Sequence, residues 1–137
     1  MAVEVEEWEY QAAQLLGVND LKRGNKYKES TKYQLLNVND ESLRRYYSYL
    51  ENHLAFPFST TYKEETGYLE VAEFEVNCLR LDPVVQVDDY DGVLLECRQG
   101  RKNVLVPLAV IFVDKGDTNL KEIDLYQEWF WNYRSAF

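Results

Sequence analysis

The chain is 137 residues long, 46% hydrophobic and 15% aromatic, enough to fold one domain around a filled core without disulfide staples. It carries 24 acidic and 15 basic residues, a net charge of −9; this excludes binding nucleic acid by neutralising phosphates and disfavours docking on an anionic membrane. No run of about 18 apolar residues exists to cross a bilayer, and Glu4, Glu6 and Glu7 stand where a secretory signal would carry bases, so a cytoplasmic protein is expected.

Residues 3–16 predict a helix, with Val5, Trp8, Ala12, Leu15 and Leu16 on one stripe and Gly17 as its C-terminal stop. Residues 18–34 are polar and lysine-rich, and Arg23-Gly24-Asn25 suggests a turn; this stretch reads as loop or a short, ill-defined helix. Leu15–Asp20 is echoed at Leu35–Asp40, and two copies ending on Asn-Asp fit repeated helix capping better than a repeat architecture. Residues 40–54 form the clearest helix. Asn39 or Asp40 caps it, Leu43, Tyr46, Tyr47, Leu50 and Leu54 make its buried stripe, and Pro57 ends it within Ala55-Phe-Pro-Phe58.

From residue 59 the hydrophobic period changes to two. Phe74, Val76 and Cys78 alternate with polar neighbours; Val84, Val85 and Val87 lead into the turn Asp88-Asp-Tyr-Asp-Gly92; Val93, Leu95 and Cys97 follow. A second turn at 99–103 leads to Val104–Leu108 and then Val110–Val113. Residues 118–134 return to helix, capped by Asp117 or Thr118, with Leu120, Ile123, Tyr126, Trp129, Phe130 and Tyr133 on an aromatic face and Trp131 off it. The expected fold is α+β: a small antiparallel β-barrel or strongly bent sheet of about five strands, SH3-like, flanked by N-terminal and C-terminal helices. Residues 1–38 read as an N-terminal helical extension, and 39–137 as the helix, barrel and C-terminal helix domain.

The charge is concentrated. Residues 61–100 hold ten acids and three bases, so seven of the nine net negative charges fall in forty residues. Within them Asp88, Asp89 and Asp91 place three carboxylates in four positions, with Asp82 and Glu96 nearby in sequence. Crowded carboxylates suit Ca2+, a hard cation that takes six to eight oxygens in irregular geometry. The same residues also read as an ordinary turn, since Asp and Gly favour one. Asp114, Asp117 and Asn119 form another oxygen-rich turn, in which Asp114 and Asp117 are more easily explained without metal, as turn and helix cap. The match to an EF-hand loop fails, because strand residues follow Gly92 where that loop needs spaced ligands, a closing Glu and a helix.

Other chemistry finds little support. Cys78 and Cys97 lie nineteen apart without a Cys-x-x-Cys, and read as two reduced core thiols. His53 is the single histidine and sits at a helix end, where the dipole favours it. No zinc-ligand cluster, phosphate loop or nucleophile elbow occurs, so no enzyme is expected.

Tyr46–Phe58, the acidic segment 82–91, Leu105-Val-Pro-Leu108 and Glu128-Trp-Phe-Trp131 occur in that order. Over about residues 44–134 the chain resembles the small acidic calcium-binding proteins of the CcbP type, known from cyanobacteria. The resemblance implies cytosolic Ca2+ binding without an EF-hand, as an intracellular buffer or sensor, and Asp88, Asp89 and Asp91 correspond by position to that family's acidic inter-strand loop. A site completed by waters would bind weakly, on the order of 10⁻⁵–10⁻³ M. The competing reading is an acidic interaction module that docks a basic protein partner, as a nucleic-acid mimic would.

Overall fold

The computed structural model describes residues 2–4, 6–17, 25–27, 36–83 and 91–134. In chain order these form β1 (Ala2–Glu4), α1 (Glu7–Leu15), β2 (Asn25–Tyr27), α2 (Asp40–His53), β3 (Phe58–Gly67), β4 (Glu70–Leu81), β5 (Leu94–Gln99), β6 (Lys102–Pro107), a 3-10 turn (Leu108–Val110), β7 (Ile111–Phe112) and α3 (Leu120–Tyr133). The α+β expectation holds. The predicted strand at Val84–Val87 lies outside the described residues.

α2 begins where its capping chemistry places it. The Asn39 side-chain oxygen accepts the Ser42 N–H at 2.9 Å, and the Ser42 hydroxyl accepts the Asn39 N–H at 2.9 Å. This reciprocal pair satisfies two amide donors at the helix start, and Asp40 and Glu41 complement the positive end of the dipole. Leu43, Tyr46 and Leu50 are buried at helical spacing, while Tyr47 is only half-buried. In the last turn His53 stacks on Tyr49 with ring centroids 3.8 Å apart, and its Nδ1–H donates to the Tyr49 carbonyl at 2.7 Å.

The N-terminal prediction is corrected. The helix does not begin at residue 3: Ala2–Glu4 is extended and pairs antiparallel with Asn25–Tyr27, inside the stretch read as loop. Glu6, with extended backbone, marks the start of α1, its N–H donating to the Glu9 carboxylate at 3.2 Å. The β-branched Val3 suits a strand, and the glutamates that follow suit a first helical turn. Gly17 ends α1 with φ +84° as expected, and the Arg45 guanidinium covers that end by donating to the Leu16 carbonyl at 3.0 Å.

The main sheet has the order β6-β5-β4-β3-β7, antiparallel throughout. β6 and β7 are its edges, yet only the 3-10 turn joins them, so the sheet is open rather than a closed barrel. Four residue steps from Pro107 to Ile111 span at most about 14 Å, whereas a flat five-stranded sheet would hold its edges about 19 Å apart. The sheet must therefore curl strongly, and of the two predicted forms the bent one is present. The barrel fails to close because the backbone between β6 and β7 is spent on the turn and β7 is only two residues long. A register shift between Cys78 and Arg80 leaves Leu79 unmatched on β5, a bulge that adds to the bend.

α3 packs against α1 and the 3-10 turn. Ile123, Tyr126, Trp129 and Phe130 are fully buried, and they share one core with Ala12, Ala13 and Leu16 of α1, Leu36, α2 and the inner sheet face. The Trp129 indole N–H donates to the Leu36 carbonyl at 2.7 Å, and its ring stacks on Tyr46 with centroids 4.8 Å apart. Trp131, off this face, is 50% exposed. The α3 cap is Asn119 rather than Asp117 or Thr118. Asn119 is buried, and its amide clamps residue 55: the oxygen accepts the Ala55 N–H at 2.8 Å and the NH2 donates to the Ala55 carbonyl at 2.9 Å.

Candidate metal centre

The acidic segment occupies the connection between β4 and β5, and both of its ends are fixed. At the entry, the Asp82 N–H donates to the Leu94 carbonyl at 2.9 Å, so the two ends of the connection meet. At the exit, the Val93 N–H donates to the buried Tyr126 hydroxyl at 2.9 Å, and the Val93 carbonyl accepts the Leu108 N–H at 2.9 Å. Gly92 has φ +66° and lies against α3; a Cβ there would meet the Tyr126 hydroxyl at 2.4 Å and the Phe130 ring at 2.6 Å. The ends of the connection are thus joined, and its exit is braced by α3.

Electrostatics at the entry involve α2. The hydroxyl of Tyr47 is held above the usual tyrosine range first by burial, then by the charge of Glu51 and then by that of Asp82. Tyr126 is also raised, by complete burial, which the Val93 hydrogen bond only partly opposes. Tyr126 is therefore a neutral hydroxyl bracing the backbone. Tyr126→Phe leaves the buried Val93 N–H without its acceptor and is expected to cost about 1–3 kcal/mol, read as a lower unfolding midpoint in urea. An unchanged midpoint would show that the brace contributes nothing.

The predicted ligands separate into groups. Asp82 is buried at the loop entry, Asp91 is half-buried at the exit, and Asp88 and Asp89 lie outside the described residues. Asp114 and Asp117 sit in the turn before α3. The Asp114 carbonyl accepts the Asp117 N–H at 3.0 Å, and the Asp117 carboxylate accepts the Asn119 N–H at 2.7 Å. Among the described residues, no three of His, Cys, Asp and Glu converge on a point that could hold a metal. Asp82, Asp91, Asp114 and Asp117 therefore do not make a site by themselves. Sequence reasoning placed Tyr126 on the buried face of α3 and Asn119 in the oxygen-rich turn, but missed that the first braces Val93, that the second clamps Ala55, and that Glu51 acts at the loop entry. Gly92 beside Asp91 signalled the turn, but no local pattern reveals which helix a loop leans on.

The CcbP family, described as calcium binding, matches residues 36–130. The fold is similar to that of a calcium-binding protein in its calcium-binding form, at 18% identity and TM-score 0.64, covering 96% of this chain and 95% of the other. It is also similar to the crystal structure of CcbP from Anabaena, at 20% identity and TM-score 0.62, covering 98% and 97%. No curated protein matches at the sequence level.

Proposed function

The chain belongs to the CcbP calcium-binding family, and from that premise we propose that it binds Ca2+ through the β4–β5 loop, with Asp88, Asp89 and Asp91 as ligands and Asp82 at the entry. The observation that carries this reading is the closed frame: the Asp82 N–H to Leu94 bond joins the two ends of the acidic segment, and the Val93 N–H to Tyr126 bond fixes its exit on α3. All four aspartates then belong to one short loop, where unrelieved repulsion opposes order and a divalent cation removes it. Backbone carbonyls and water complete the shell. Asp117 is omitted from the ligand set because its carboxylate already holds the turn before α3. The role is that of a cytoplasmic calcium buffer or sensor, whose response is ordering of the loop.

Calorimetric titration tests this. Ca2+ is expected to bind saturably with Kd on the order of 10⁻⁵–10⁻³ M, more tightly than Mg2+, and to raise Tm by linkage. Replacing Asp88, Asp89 and Asp91 together by Asn is expected to abolish the heat of binding while leaving the fold intact. Full retention of affinity in that variant would move the site elsewhere.

A second reading has its own observation. Among the described residues β7 pairs only with Thr61 and Tyr62, and β5 reaches only to Asn77 on β4, so residues 63–75 project as a two-stranded ribbon. Its tip exposes Tyr68 (92%), Leu69 (88%) and Val71 (61%) among Glu64, Glu70, Glu73 and Glu75. Apolar side chains set among carboxylates support docking of a basic protein segment. Such binding would weaken with salt and be indifferent to Ca2+.

A further inference from the structure

Cys78 and Cys97 come from the two strands that flank the acidic loop, and they are direct cross-strand partners. Both are buried free thiols, with their Sγ atoms 3.4 Å apart. The pair encloses the whole of 79–96, including Asp82 and the Asp88–Asp91 turn. Two core-facing thiols in register need only side-chain rotation to reach bonding distance, because their backbones are already placed as neighbours.

We propose that Cys78 and Cys97 form a peroxide-reactive dithiol whose disulfide clamps the base of the calcium loop. The thiols are covered, so the oxidant must be close to the size of water, which hydrogen peroxide is. In the first step the Cys97 thiolate attacks one peroxide oxygen, the O–O bond breaks, and the departing hydroxide takes up the thiol proton as water, leaving Cys97 as a sulfenic acid. In the second, the Cys78 sulfur attacks the Cys97 sulfur, the S–O bond breaks, and hydroxide leaves with the Cys78 proton as a second water. Two thiols lose two electrons and one peroxide becomes two waters. Cys97 is the attacking sulfur: the hydrogen bond it shares with Cys78 holds its thiol below the usual range although burial pushes the other way, while Cys78 is held above it, first by that same hydrogen bond and then by burial.

The consequence for calcium rests on the proposed function. A covalent clamp fixes the two strands at the base of the connection before the ion arrives, so part of the ordering cost of binding is already met. The test uses the full chain treated with hydrogen peroxide, then quenched. Intact mass is expected to fall by ~2 Da with loss of both free thiols together, reversibly with dithiothreitol. Cys78→Ser is expected to stop at a sulfenic acid on Cys97, trapped by dimedone once the quenched protein is unfolded in urea. Calorimetry of the oxidised form is expected to give about three- to tenfold tighter Ca2+ binding than the reduced form. Two thiols that persist in the folded protein, or that oxidise independently to higher acids, would overturn the dithiol. A disulfide that leaves Ca2+ affinity unchanged would overturn the clamp. If neither redox form binds Ca2+, the proposed function and the clamp fall together, while the mass measurement decides the dithiol chemistry separately.

Discussion

Gly92→Ala is expected to destabilise the protein by about 3 kcal/mol, or about 10 °C in Tm, and to weaken Ca2+ binding with it. Two costs combine there. The backbone at Gly92 has φ +66°, which an L side chain adopts at a penalty, and the added methyl would lie 2.4 Å from the Tyr126 hydroxyl and 2.6 Å from the Phe130 ring. Both contacts come from the helix that braces the loop exit, so relief of the clash must shift either α3 or the Val93 hydrogen bond. Gly100→Ala separates the two costs. Gly100 has φ +61° but nothing within 4 Å of the added carbon, so it is expected to lose only about 1 kcal/mol. Thermal unfolding and calcium titration of both variants provide the check. Equal losses at the two glycines would mean that the contact with α3 does not hold the loop.

Trp129→Ala is expected to be the most damaging single change, about 4 kcal/mol, against a total stability of about 5–15 kcal/mol for a domain of this kind. The indole fills the junction of α2, α3 and the Leu36 segment, with Tyr46 stacked on it and Tyr126 5.8 Å away, ring centre to ring centre. Its removal leaves a cavity and also strips the Leu36 carbonyl of its 2.7 Å donor. Trp129→Phe keeps most of the volume and loses the hydrogen bond, so it is expected to cost about half as much. Urea unfolding of these variants beside Trp131→Ala measures the difference, since Trp131 is half exposed and its removal is expected to cost about 1 kcal/mol. If Trp129→Ala costs no more than Trp131→Ala, the aromatic junction is not the centre of the core.

The candidate site was legible in part. Carboxylate crowding at Asp88, Asp89 and Asp91 is a local property, and charge counted by segment finds it. The frame around it was not legible, because it rests on contacts between residues far apart in the chain. Val93 meets Tyr126 across 33 positions, and Asn119 reaches Ala55 across 64. The same limit explains the misplaced α3 cap. Asp117 and Thr118 both have capping side chains, and only the burial of Asn119 against residue 55 decides among them. At the N-terminus, the stripe that begins at Val5 leaves the state of the residues before it open, and pairing with Asn25–Tyr27 settled the matter for Ala2–Glu4.

The amino-acid sequence alone determined the class of this protein: an α+β domain, with α2 placed by its cap and periodicity, α3 by periodicity, a sheet placed by alternation, and negative charge gathered between two strands. These follow from nearest-neighbour chemistry, in which each residue acts on others within about one helical turn or one hairpin. Only the tertiary structure decided that the sheet stays open, that α3 holds the exit of the acidic loop, and that Cys78 faces Cys97. Each of these depends on how strands register and where a helix lands, and a one-residue slip in either would turn the same side chains away from one another.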